Sequence, residues 1–179
     1  IAFQSTVIDI DTMLRVEGRE FIKVVTGPVA KNMITAFFFQ LSKINAGASR
    51  PKGIEKNPTR KLGVLGAGMM GQGIAYVAAK VGIEVILKDM TQEAADKGKA
   101  YSEALVNKAV KRGKMFQSQA DTLLGLITPT ANNEDLRGCD LIIEAVFENI
   151  ELKNKIIANT EQYLSEDGFW GSNTSTLPI

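Results

Sequence analysis

Residues Lys61 to Gly71 read Lys-Leu-Gly-Val-Leu-Gly-Ala-Gly-Met-Met-Gly, a short apolar run followed at once by three glycines in G-x-G-x-x-G spacing. Few stretches restrict a fold as strongly, because each glycine answers a separate steric demand. Gly66 permits a tight turn off a strand, and Gly68 leaves no Cβ in the path of an approaching pyrophosphate. Gly71 lets the following helix pack close to that strand. A helix opening at Met69 and Met70 would aim its unpaired N–H groups and the positive end of its dipole at the phosphates.

The surroundings decide whether such a loop binds anything. Small residues follow it on one expected helix face: Gly71, Gly73, Ala75 and Ala78. After a turn at Gly82, a second apolar run from Ile83 to Lys88 ends at Asp89, eighteen residues beyond Gly71. A carboxylate at the end of that second strand accepts hydrogen bonds from the adenosine ribose hydroxyls of a dinucleotide. A 2′-phosphate there would meet like charge, so NAD is favoured over NADP, a preference that Lys88 slightly weakens. The Gly-Lys-Ser/Thr ending of a nucleoside-triphosphate loop is missing.

From Lys61 onward, apolar runs alternate with helical periods, which implies βαβ units and a parallel, doubly wound α/β sheet. Strands are expected at about Leu62–Leu65, Ile83–Lys88, Leu126–Thr128, Leu141–Phe147 and Phe169–Gly171. Helices are expected from Met69 to about Val81, from a Thr91 cap to about Arg112, and from Ile150 to Leu164. Ser118-x-x-Asp121 reads as a capping box for a short additional helix, and Asp167-Gly168 as a turn. Tyr76-x-x-x-Lys80 has the spacing of a short-chain dehydrogenase pair, but it lies on the first helix, too early in the fold for that chemistry.

Residues 1 to about 45 carry no catalytic pattern and read as mostly helical, with Asp11 or Thr12 as the first cap and a break at Gly27-Pro28. The second helix carries a stripe of Met33, Ile34, Phe37, Phe38 and Leu41 that calls for a packing partner. Residues 46–61 are rich in Gly, Pro and Lys/Arg and read as a linker. The expected organisation is therefore a short helical segment and linker over 1–59, and a cofactor-binding domain over 60–179.

Composition removes several function classes. The chain has no histidine, so no mechanism that needs an imidazole base is complete within these 179 residues. A net charge of +1 gives no field that would recruit nucleic acid or a membrane surface. The one cysteine, Cys139, lies beside an apolar strand pattern and reads as a packed core thiol. No secretory signal or apolar stretch of membrane-spanning length stands out, and a cytoplasmic location is expected. No metal-ligand cluster is apparent.

Glu148 and Asn149 fall at the carboxyl end of the expected fourth strand, and the polar segment Ser172–Thr176 at the end of the fifth. Ligands bind outside the carboxyl ends of such strands, so both segments would ring one crevice with the glycine loop. Taken with Gly66-Ala-Gly68-Met-Met-Gly71-x-Gly73-Ile-Ala and Lys88-Asp89, the segments Asp140-Leu-Ile-Ile-Glu144-Ala-Val-Phe-Glu148-Asn149 and Ser172-Asn-Thr-Ser175-Thr-Leu resemble the NAD-binding (Rossmann) domain of L-3-hydroxyacyl-CoA dehydrogenases. The resemblance is strongest to the multifunctional α-subunit of bacterial fatty acid oxidation complexes, in which an enoyl-CoA hydratase module precedes this domain.

That resemblance implies roles. The glycine loop with Met69 and Met70 would hold the pyrophosphate and Asp89 the ribose. Val146, Phe147 and Glu148 would line the nicotinamide side, and Lys153 would also reach the cofactor. Ser175 would touch both the nicotinamide end and the substrate oxygen, with Asn173 as a further substrate contact. The family's general base, a histidine paired with a glutamate, belongs to a His-Phe-Phe segment beyond Ile179. The 179 residues are therefore expected to bind NAD without turning over acyl-CoA. Residues 1–59 would be the tail of the hydratase module plus linker, and a thiolase β-subunit would be the partner. Two rivals stand beside this: a non-catalytic NAD sensor or assembly module, and another β-hydroxyacid dehydrogenase sharing the sheet.

Overall fold

A computed structural model describes residues 8–53, 57–175 and 177. The chain divides into two compact units, Ile1–Lys56 and Asn57–Ile179. Thr176, part of the polar segment noted above, and residues 1–7 of the expected helical region lie outside the described residues.

The first unit is helical. Helix α1 spans Ile10–Thr26, and its cap is Asp9 rather than Asp11 or Thr12. Asp9 has the extended backbone that a cap needs, and its Oδ1 accepts from Thr12 N at 3.0 Å. Gly27 then ends α1, and Pro28 opens α2 (Pro28–Ile34) at the one turn where its missing N–H costs nothing. A π-helical turn over Thr35–Gln40 leads into α3 (Leu41–Asn45). No residue of these helices is buried, and Phe37 is 71% exposed.

The second unit is an all-parallel five-stranded sheet in the order β3-β2-β1-β4-β5. Its strands are β1 (Lys61–Leu65), β2 (Glu84–Lys88), β3 (Ile127–Thr130), β4 (Cys139–Glu144) and β5 (Leu164–Ser172). Helices α4 (Met69–Lys80), α5 (Gln92–Lys111), α6 (Gln117–Gly125) and α7 (Ile150–Thr160) connect them. The order reverses between β1 and β4, which opens a crevice at their carboxyl ends.

Period-2 alternation sorts the strand side chains onto two buried faces. Leu62, Val64, Val85, Leu87 and Ile127 pack with Ala75, Ala78, Val106 and Leu123 of α4, α5 and α6. On the opposite face Leu65, Ile86, Cys139 and Ile142 pack with Leu136 and Tyr163, flanked by Ile156 and Trp170. Asp140 anchors the start of β1: its Oδ2 accepts from Arg60 N at 2.7 Å and Lys61 N at 2.9 Å. Those two donors, Lys61 first, hold its carboxyl below the usual carboxylate range.

Thr91 caps α5 as expected, accepting from Ala94 N at 3.2 Å. Several local expectations are corrected. The cap position of α6 is Phe116, whose N–H donates to Gln119 Oε1 at 3.0 Å, and Asp121 instead accepts from Gln117. Strand β4 stops at Glu144, short of Phe147, because the Glu144 carboxylate captures Val146 N at 2.7 Å and draws the backbone off the ladder. Helix α7 closes at Thr160, and a single 3₁₀ turn carries the chain to Tyr163. Asp167-Gly168 is an irregularity inside β5 rather than a turn before it. A Cβ at Gly168 would stand 3.0 Å from Cys139 O and from Ser165 O, so a side chain there would force the strand or its neighbour to shift by a few tenths of an ångström. In β3, Pro129 lies opposite Leu87.

The buried face of α4 is Gly71, Ala75, Ala78 and Ala79; Gly73 is not part of it. A Cβ on Gly71 would lie 1.7 Å from Gly66 O, whereas one on Gly73 meets nothing within 4 Å. Gly71→Ala is expected to destabilise the domain by about 3 kcal/mol or more, since backbone must move. Gly73→Ala is expected to stabilise it by up to about 1 kcal/mol through helix propensity. Thermal unfolding of the two variants beside the parent checks the contrast.

Candidate functional site

The crevice starts at the glycine loop. Gly66 has φ +95°, and a Cβ on it would stand 2.7 Å from Ala145 O, so this position is reserved for glycine twice over. Gly68 caps α4 and is exposed, with nothing within 4 Å of the place a Cβ would take. The open space above Gly68 lies beside the first turn of α4, an arrangement that suits an anion. Met69 is 81% and Met70 50% exposed in that turn. Gly98, inside α5, was not singled out from the sequence. Its Cβ would lie 2.6 Å from Ala67 Cβ, so α5 presses against the loop there. An isolated glycine inside a helical period was the available signal.

Asp89 closes the β2 side. Its Oδ2 accepts from Ala67 N at 2.6 Å and its Oδ1 from Met90 N at 2.7 Å, which ties the carboxylate to the loop itself. Each oxygen retains acceptor capacity beyond these bonds. A cleft of about 450 Å³ runs across this region, lined by Gly66, Gly68, Asp89, Val146 and Phe147, with Ile156 behind them. A neighbouring hollow carries Met69 with Gly68 and Asp89. The open glycine, the helix start and the acidic strand end, spread along one cleft, fit a dinucleotide.

The β4–β5 side is organised by a buried charge. Glu144 is 0% and Lys153 1% exposed, with Lys153 Nζ 2.8 Å from Glu144 Oε1. Ser172 Oγ donates to Glu144 Oε2 at 2.8 Å, and Asn173 N to the Glu144 carbonyl at 2.8 Å. Lys153 also stands 3.6 Å from Glu148 Oε1, which is half-exposed. Thr174 spans the gap, its N–H on Ser172 Oγ at 3.1 Å and its hydroxyl on Glu148 at 3.4 Å. Asn149 caps α7 by accepting from Leu152 N at 2.8 Å.

The structure thus gathers Gly66, Gly68, Asp89, Val146 and Phe147 around one cleft, with Met69 in the hollow beside it. Glu148 and Asn173 are joined through the Glu144 network, and Ser175 is exposed just past it. Lys153 is turned inward to Glu144. The sequence pattern includes Glu144 in the motif Asp140–Asn149 but does not by itself show its role. A lone acid closing the run Leu141-Ile-Ile-Glu144 was the signal, because such a charge demands a partner when buried.

Cys139 is a free, fully buried thiol, and burial pushes its pKa up to about 11. It is therefore neutral and unreactive near neutrality. Among the described residues no group of three or more His, Cys, Asp or Glu could hold a metal ion, and no helix is long and apolar enough to cross a membrane.

Glycine loop, acidic strand end and switch-point cleft define a dinucleotide-binding domain. Residues 61–179 match the family model for the NAD-binding domain of 3-hydroxyacyl-CoA dehydrogenases, and the chain belongs to that family. Among solved structures, (S)-3-hydroxybutyryl-CoA dehydrogenase PaaH1 from Ralstonia eutropha is 33% identical over 67% of this chain and 42% of its own, with a TM-score of 0.63. FadB2 of M. tuberculosis is 35% identical over 69% of this chain and 44% of its own, with a TM-score of 0.64. A 3-hydroxybutyryl-CoA dehydrogenase from Escherichia coli K12 is 31% identical over 68% and 26% respectively, with a TM-score of 0.64. The chain thus spans less than half the length of these relatives.

Lys153→Met leaves the Glu144 carboxylate buried without its cation and is expected to cost about 3–5 kcal/mol of stability. Adding Glu144→Gln in the same chain is expected to recover most of that loss. Urea denaturation of the single and double variants measures both.

Proposed function

We propose that this chain is the cofactor half of an enzyme that oxidises L-3-hydroxyacyl-CoA to 3-ketoacyl-CoA in fatty acid β-oxidation. The observation that carries the cofactor pose is Asp89, tied to Ala67 N of the glycine loop and to Met90 N next to it, at the edge of the cleft. In this pose the first turn of α4 neutralises the pyrophosphate, Asp89 accepts from the adenosine ribose hydroxyls, and Val146 and Phe147 cover the nicotinamide side. Bound there, NAD supplies the hydride acceptor. Ser175 donates toward the substrate oxygen and Asn173 contacts the substrate beside it. The similar proteins named as 3-hydroxybutyryl-CoA dehydrogenases support this substrate class.

Oxidation of a 3-hydroxyl also needs a base for the hydroxyl proton. An imidazole suits that task near neutral pH, and none of the 179 residues is a histidine. The proposal therefore places the base, a histidine oriented by a glutamate, outside these residues. We assign residues 1–59 to the tail of a preceding hydratase module plus linker, in a cytoplasmic multifunctional polypeptide whose partner is a thiolase β-subunit. The exposed Phe37–Leu41 stripe on a helical unit whose described residues include no buried side chain supports such a tail.

Two experiments test this. In calorimetric titration Asp89→Ala is expected to weaken NAD binding by about ten- to a hundredfold, the worth of charge-assisted hydrogen bonds; unchanged affinity would sink the pose. The purified 179-residue chain is expected to show no measurable oxidation of 3-hydroxybutyryl-CoA, because a positioned base alone contributes about 100- to 10,000-fold. Clear turnover by these residues alone would place the base among them.

A further inference from the structure

Glu144 does not line the cleft, yet it holds Val146, which does, together with Lys153 and the exit of β5. Its Oε1 holds Val146 N at 2.7 Å and Lys153 Nζ at 2.8 Å; its Oε2 holds the Ser172 hydroxyl at 2.8 Å; its carbonyl holds Asn173 N at 2.8 Å. Three groups, from the β4–α7 loop, α7 and the exit of β5, thus converge on one side chain that is 0% exposed, and a fourth binds the main chain of the same residue. From this hub two short links reach Glu148, which the cofactor reading places on the nicotinamide side. Lys153 passes to Glu148 at 3.6 Å, and Ser172 passes through Thr174 to the same Glu148 and onward along the chain to Ser175.

The adenosine side is held by other hydrogen bonds. Asp89 is tied to Ala67 N, and the first turn of α4 is seated by Gly66 and Gly71; the two flanks touch where Gly66 packs against Ala145 and Val146. The two halves of a dinucleotide would therefore meet two walls with separate hydrogen-bond anchors and one shared packing contact. Removing the Glu144 charge weakens its hold on three donors together, so Glu148 and the Ser172 and Thr174 side chains lose fixed geometry, while Asn173 N keeps the Glu144 carbonyl and the phosphate seat keeps its own bonds.

We infer that Glu144 is a positioning residue for the nicotinamide half of the cofactor site, acting through Lys153 and Ser172 without touching the cofactor itself. This inference rests on the cofactor reading above. A carboxylate that only held the fold together would affect the whole cofactor equally; a positioning residue affects one half.

The test is calorimetric titration of the 179-residue chain with NAD and, separately, with ADP-ribose, which lacks the nicotinamide. Glu144→Gln is expected to weaken NAD binding about tenfold, the worth of one charge-assisted hydrogen bond, and to leave ADP-ribose within about twofold. Equal weakening of both ligands, or no weakening of either, overturns the inference and leaves the cofactor reading standing. Should Glu144→Gln fail to fold, Ser172→Ala keeps the ion pair and cuts only the hydroxyl link. It is expected to lose affinity for NAD severalfold and none for ADP-ribose; a variant indistinguishable from the parent toward both overturns the inference. If the unaltered chain binds neither ligand, the cofactor reading itself falls, and this inference with it.

Discussion

A carboxylate and an ammonium withdrawn from water together are stable only if nearly every remaining hydrogen-bonding position is filled, because desolvation costs several kcal/mol per ion. The Glu144–Lys153 pair meets that condition with backbone and side-chain donors drawn from three segments. Each segment is fixed as a consequence. Strand β4 stops where it does because the carboxylate takes Val146 N, and α7 keeps its first turn inward because Lys153 must reach the pair. The exit of β5 bends toward the crevice because Ser172 and Asn173 are held there. One buried charge thereby sets the shape of half of the site.

The other half is set by the absence of side chains. Gly66, Gly71 and Gly98 stand where a Cβ would collide with backbone or with Ala67, while Gly68 stands where a Cβ would meet nothing in the protein. The first three allow strand, loop and two helices to close on one another. The fourth has no packing reason to be glycine, and its openness becomes intelligible once a ligand is placed against it. Sterics inside the protein and sterics toward a ligand are thus separable within a single loop.

Much of this was legible in the sequence because its signals are local. The turn at Gly66, the Thr91 cap and the alternation of apolar runs each need only a few neighbouring residues to be understood, and they yield the sheet and the position of Asp89. What escaped depends on distant neighbours. Nothing near Gly168 reveals that β4 runs 3.0 Å from where its Cβ would be, so Asp167-Gly168 reads as a turn. Gly73 looks equivalent to Gly71, since pattern alone does not say which of two glycines faces the strand. That Lys153 is buried against Glu144, nine residues earlier, is likewise invisible in the pattern. Charge burial and close approach are properties of the assembled fold.

Pro129 has a consequence of a different kind. Val85 N donates to Leu126 O and Asp89 N to Thr130 O, so the even-numbered residues of β3 direct their polar groups toward β2, and the nitrogen of Pro129 faces outward. Among the described strands β3 is an edge of the sheet, and an edge offers a row of unpaired donors to any other extended chain. With proline at the centre of a strand only four residues long, that row is broken where a foreign strand would seek to pair. The sheet is guarded on this side against edge-to-edge self-association, with no loss to its pairing with β2.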